Sequence, residues 1–120
     1  MSRSDASPMP SALTATMITD LGGSPVENDH LSADGKLDAG SGMQFAARAL
    51  RKLATSAVEG ARVEAMSINC DFVGSAGLGD MISARGTVTR QTRTVLFLAV
   101  ELFEEERLIL TASSVFRITR

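Results

Sequence analysis

The spacing of apolar residues changes character along this chain. From Met43 to about Val58, residues Met43, Ala46, Ala47, Leu50, Ala54 and Ala57 recur at steps of three and four, while Arg48, Arg51 and Lys52 lie off much of that stripe. The pattern predicts a helix over 42–58, with Ser41 as its N-cap and Gly60 placed to end it. A stripe built largely from alanine lets a partner surface come close, which suits a helix enclosed by a curved sheet. After Gly60 the period falls to two: over 63–73, Met66, Ile68, Cys70 and Phe72 alternate with Ala65, Ser67, Asn69 and Asp71. Further strands are predicted over 81–90, 93–103 and 107–119. RTVLFLAVELF, within 93–103, is apolar on both faces, as a central strand is. Gln91-Thr92 and the run Glu104–Glu106 are short enough to be hairpin turns.

The start of the chain is less regular. Residues 1–10 are small, polar and proline-bearing, and read as an arm. Between Leu13 and Leu21, Leu13, Met17 and Leu21 fit a helix, whereas Thr14, Thr16, Ile18 and Thr19 favour a strand; the strand is the preferred reading. Gly22–Gly42 holds five glycines among Asp, Asn and Ser, and reads as a long loop. Loops of that length inside a compact domain are uncommon and often functional. Residues 1–37 therefore form an arm, a first strand and a loop, and residues 38–120 an α+β core of one helix followed by antiparallel strands.

Composition narrows the function classes. With 120 residues the chain makes one domain. A net charge of −2 lacks the basic surplus that a nucleic-acid or anionic-membrane partner calls for, so neither is expected. The acids concentrate before residue 41, leaving a mildly basic core. Cys70 and His30 are the sole residues of their kinds, which excludes an intrachain disulfide framework and leaves no basis for a Cys/His metal site. No apolar run reaches signal-peptide or membrane-spanning length, and a cytoplasmic protein is expected.

The order of elements and several stretches resemble the hotdog-fold thioesterase family over roughly residues 36–120. The stretches are the glycine-containing turn into an alanine-rich helix (DAGSGMQFAARAL), a long strand leading to a Gly79-Asp80 turn (INCDFVGSAGLGD), a strand ending in basic and polar residues (ISARGTVTRQTR), and two closing strands (VLFLAVELF and LILTASSVFRI). The resemblance implies a hotdog fold, in which a curved antiparallel sheet wraps one long central helix, and a homodimer or tetramer in which two sheets join. It implies an acyl thioester of coenzyme A or of acyl carrier protein as substrate, with coenzyme A part of the substrate and no resident cofactor. The helix would turn its first amides toward the thioester carbonyl. Those donors are assigned to Gly42 and Met43, with Gly40 and Gly42 leaving the approach open and Gln44 in reach of a carbonyl or a water. Unpaired N–H groups at a helix start carry partial positive charge and stabilise a developing oxyanion. Arg90 and Arg93, flanking a hairpin turn, are candidates for the coenzyme A phosphates, because guanidinium groups clamp phosphate oxygens.

The resemblance also breaks down in places. One branch of that family carries a catalytic acid on the central helix after a His-Gly-Gly turn. Here the turn reads Asp38-Ala39-Gly40, Ala46, Ala47 and Arg48 stand where the acid is expected, and no Asp or Glu lies between Ser41 and Val58. A second branch takes its acid from the preceding loop, where Asp29, Asp34 and Asp38 lie. Asp38, nearest the glycine turn, is the candidate to orient a water. It also reads simply as a helix-start acid favoured by the dipole. His30 is a possible base or an inert surface residue, and Cys70, in phase with apolar neighbours, reads as a core thiol. Two other readings stay open: a non-catalytic acyl-binding or scaffold protein of the same fold, and a different α+β fold with an apolar pocket.

Overall fold

The computed structural model describes residues 17–120. The predicted arm over 1–10 and the 13–16 part of the predicted first strand lie outside the described residues. The chain runs β1 (Thr19–Pro25), a 3₁₀ turn (Asn28–His30), α1 (Ala39–Ala57), β2 (Arg62–Phe72), β3 (Met81–Gln91), β4 (Val95–Glu104) and β5 (Arg107–Thr119). The five strands form one antiparallel sheet in the order β1-β3-β4-β5-β2, and α1 packs against every strand. This is the hotdog arrangement, and it excludes the alternative α+β fold.

β4 sits at the centre of the sheet, and the reason is legible in its residues. Leu96, Leu98, Val100 and Leu102 point at the helix with almost no exposure, and Ala99 on the other face is also buried. Leu110, Ala112, Phe116 and Ile118 of β5 continue the same inner layer. Each large side chain removed from water in this way stabilises the fold by about 1.5–3 kcal/mol. Of the predicted stripe, Ala46, Leu50 and Ala54 are buried, Ala47 and Ala57 are partly so and Met43 is exposed. Phe45, Ala49 and Leu53, one position to the side, complete the face that packs on the sheet. Close approach is tightest at Gly86 of β3, where a Cβ would stand 2.8 Å from Val100 Cγ1 and 2.9 Å from Leu53 Cδ2.

Three sequence expectations need correction. β1 lies later than Leu13–Leu21, because its Gly22-Gly23 pair belongs to a bulged edge strand rather than to a loop. The pairing with β3 slips between Asp20 and Gly23, and Gly22 takes a φ of +87° there. The helix starts at Ala39, three residues before the predicted start, with Asp38 rather than Ser41 as N-cap. In β2 the alternation breaks at a bulge between Ala65 and Ser67, which leaves Met66 unpaired and half exposed. Val63 and Ala65 therefore share the inner face with Ile68, Cys70 and Phe72.

Candidate functional site

The helix start owes its position to Asp38. One oxygen of this residue, Oδ2, accepts the Gly40 N–H at 3.0 Å, and its backbone carbonyl accepts the Gly42 N–H at 2.9 Å. This is an Asp N-cap, in which a short acid satisfies an otherwise orphan donor of the first turn. Asp38 is itself held from behind, since its N–H donates to the His30 carbonyl and the Leu37 N–H to the Ala76 carbonyl, both at 2.8 Å. The segment before it is stapled rather than slack. Val26 N–H donates to Asp80 C=O at 2.8 Å, Gly79 N–H to Val26 C=O at 2.9 Å, and Ser32 N–H to Lys36 C=O at 2.8 Å. The Gly79-Asp80 turn thus anchors the loop that carries the cap.

The donor assignment changes as a result. With the helix beginning at Ala39, the Gly42 amide makes the first helical hydrogen bond, and the Met43 amide falls to Ala39 C=O by helical register. Neither is a free donor. Among the described residues, the first-turn amides without an acceptor are those of Ala39 and Ser41. Gly42 does not open the mouth to solvent either: it is buried, and a Cβ there would stand 3.2 Å from Phe72 Cε1 and 3.5 Å from Leu110 Cδ1. Gly40 is exposed beside the Asp38 carboxylate, while Met43 and Gln44 are exposed on the first turns.

The other acids and the histidine take distinct places. Asp34 is engaged in its own turn, accepting from the Ser32 hydroxyl and, at 3.2 Å, from the Lys36 N–H; these bonds hold its carboxyl below the usual range. Asp29 is exposed, 3.9 Å from His30 Nε2. His30 is not a loose surface residue. Its ring stands edge-on to Phe45 with centroids 4.9 Å apart, and its Nδ1 accepts the Glu27 N–H at 2.9 Å. That bond places the neutral ring's proton on Nε2. The signal for this in the sequence was the Glu27-x-x-His30 spacing, a capping-box arrangement closing the 3₁₀ turn.

The helix offers no acid of its own. Ala46 is fully buried, Ala47 partly so, and the Arg48 guanidinium lies 5.8 Å from the Phe45 ring centre. Arg90 is the penultimate residue of β3 and Arg93 stands in the turn after it, both exposed, beside the Gln91–Leu96 pair. Gly42 touches Leu110, whereas the Gln91–Leu96 pair aligns with Phe116 six residues further along β5. At ~3.3 Å per residue this separates the two ends of the sheet by about 20 Å, so one chain does not bring these arginines to the helix start. Cys70 sits half-buried on the inner face of β2, where burial and then the Asp71 charge push its thiol pKa up. Among the described residues no helix is long and apolar enough to cross a membrane.

Comparison with known proteins agrees with this architecture. A profile of the thioesterase superfamily matches residues 42–111. No curated protein sequence matches the chain. Among solved structures, a phenylacetic acid degradation-related protein from Ralstonia eutropha superposes with a TM-score of 0.75 at 22% identity, over 79% of this chain and 72% of that one. A hypothetical thioesterase protein from Streptococcus pneumoniae, solved with coenzyme A, gives 0.75 at 18% identity over 81% and 77%. A mutant of the phenylacetic acid degradation protein PaaI from Thermus thermophilus gives 0.74 at 19% identity over 83% and 91%. At such identities the likeness to each is one of fold. The profile match, the strand order and the enclosed helix together establish that this chain belongs to the thioesterase superfamily, in its hotdog form.

Proposed function

We propose that the protein hydrolyses acyl thioesters of coenzyme A at the start of α1. The free N–H groups of Ala39 and Ser41 polarise the thioester carbonyl, and Asp38 orients the attacking water. The single observation carrying this reading is the double duty of Asp38. Oδ2 is fixed on the Gly40 N–H, leaving Oδ1 without a partner among the described residues, within one to three residues of the unpaired amides. Water adds to the carbonyl carbon as Asp38 takes its proton; the C–S bond then breaks and the proton passes to the departing thiolate. Preorganised amides aimed at the developing oxyanion supply the electrostatic part of the acceleration. Superfamily membership and the fold likeness to a protein solved with coenzyme A support the choice of substrate.

The working unit in this reading is a homodimer in the cytoplasm. β2 is an edge strand of 11 residues with Met66 51% and Phe72 49% exposed, and such an edge is a template for pairing with a second copy. Two-fold antiparallel pairing would set the Arg62 end of one β2 against the Phe72 end of the other, carrying the basic end of the sheet, with Arg90 and Arg93, toward the helix start across the interface.

One observation favours a second reading, a non-catalytic acyl-thioester binder: α1 carries no acid, and Asp38 is already engaged as a cap. Thiol release from a panel of acyl-CoA and acyl-carrier-protein thioesters separates the two. Turnover with a preference for acyl-CoA supports the hydrolase; saturable binding without thiol release supports the binder.

A further inference from the structure

On the side of α1 facing away from β2, between the helix and the bulged edge strand β1, lies a slot of about 260 Å³. Its lining is mixed: Phe45, Ala49 and Ile82 belong to the apolar part, and Ser24 of the edge strand with the exposed Arg48 and Lys52 to the polar part. The slot exists because the β1–β3 register slips at the glycine pair and because positions 49 and 84 carry only methyl groups. The Lys52 Nζ lies close over this bulge, 3.5 Å from where a Cβ on Gly22 would stand, which is ordinary contact; the glycine is required there by its φ of +87°.

The two cations are unusually placed. They are i,i+4 neighbours on one helix face, where like charges repel. α1 holds no acid to offset them, and neither forms an ion pair among the described residues. Lys52 commits one donor to the Leu21 carbonyl at 3.2 Å, which leaves two, and Arg48 lies over Phe45 with its remaining donors uncommitted.

We infer that this slot binds a small organic carboxylate, its apolar body between Phe45, Ala49 and Ile82 and its carboxylate bridging Arg48 and Lys52. A carboxylate set between two cations that have no ion-pair partner among the described residues offsets their repulsion and accepts charge-assisted hydrogen bonds. Exposed cations hold an anion weakly on their own, so the buried apolar body supplies the anchoring and the cations the selection. The volume corresponds to about nine water-sized groups and falls below the range of roughly 300–1,000 Å³ for drug-sized ligands, which limits the body to a short chain or a single ring. The site is separate from the helix start, and the inference stands whether or not the protein hydrolyses thioesters.

Hexanoate and benzoate serve as probes, with hexanamide and benzamide as neutral counterparts, in a titration followed by amide chemical shifts of the full chain. The expected result is a saturable shift centred on Leu21, Ala49 and Ala84, about tenfold or more weaker for the amides than for the acids. Ala49→Leu fills the slot and abolishes the shift. The surface pair Arg48→Gln with Lys52→Gln, which leaves the core intact, weakens it by about tenfold and decides the matter if Ala49→Leu fails to fold. Absence of a saturable shift at millimolar probe, equal affinity for acid and amide, or shifts confined to Ala39 and Ser41 at the helix start overturns the inference. The last pattern would mark product binding at the proposed catalytic mouth instead.

Discussion

Gly86 of β3 and Leu53 of α1 meet so closely that a Cβ on the glycine would lie 2.9 Å from Leu53 Cδ2, with the Ala99 carbonyl oxygen also at 2.9 Å. The second neighbour is backbone in the central strand and cannot step aside. Gly86→Ala therefore overpacks the helix–sheet contact. Urea unfolding is expected to show a loss of about 1–3 kcal/mol, although alanine suits a strand better than glycine does. A variant as stable as the parent would mean the helix is not seated as closely as described.

A gain is expected in the exposed turn of the β4–β5 hairpin. Glu105 has a φ of +56°, a backbone state that favours glycine, at the first of the two residues linking Glu104 to Arg107. Glu105→Gly is expected to raise stability by up to about 1 kcal/mol, read as a higher Tm, by relieving that strain. A lower Tm would show that the Glu105 side chain contributes something the geometry does not reveal.

The helix, the four later strands and the central place of β4 were readable because their apolar periods are long and unmixed. The hotdog fold followed from their order and from motifs around Gly79-Asp80. The start of the sheet was not readable, since Gly22-Gly23 carries the same local signal in a loop as in a bulged edge strand. Of the candidate site, only the local geometry can be compared with the sequence. Asp38 and the glycine turn were identifiable, but which amides stay free depends on the N-cap, and moving the cap from Ser41 to Asp38 shifts the free donors from Gly42 and Met43 to Ala39 and Ser41. The Phe72–Gly42 and His30–Phe45 contacts join residues distant in sequence, and only the folded chain reveals them.

The dimer reading rests on the β2 edge and can be tested there. Met66, thrust out at the bulge, sits on that edge, and a lysine is a common device for blocking edge pairing. Met66→Lys is expected to shift the protein from dimer to monomer in light scattering, with the fold intact by circular dichroism. A dimer of undiminished affinity would place the interface elsewhere.

Cys70 provides a pH-dependent observable. Burial and the neighbouring Asp71 raise its thiol pKa, so the reactive thiolate is scarcer at a given pH than for a free cysteine. Alkylation by iodoacetamide should be slow near neutrality and should keep rising past pH 9. Asp71→Asn, which removes the like charge, should move the profile toward lower pH. Fast alkylation at pH 7 would contradict the described environment.

Asp38 carries the central claim, and one substitution separates its two duties. Asparagine caps a helix about as well as aspartate, so Asp38→Asn should leave Tm unchanged while removing the base. For the acyl-CoA ester that the wild type hydrolyses fastest, kcat is expected to fall by about 10²–10⁴-fold, the range for loss of a general base. Unchanged kcat in Asp38→Asn, or a wild type that releases no thiol from any acyl-CoA, would contradict the account.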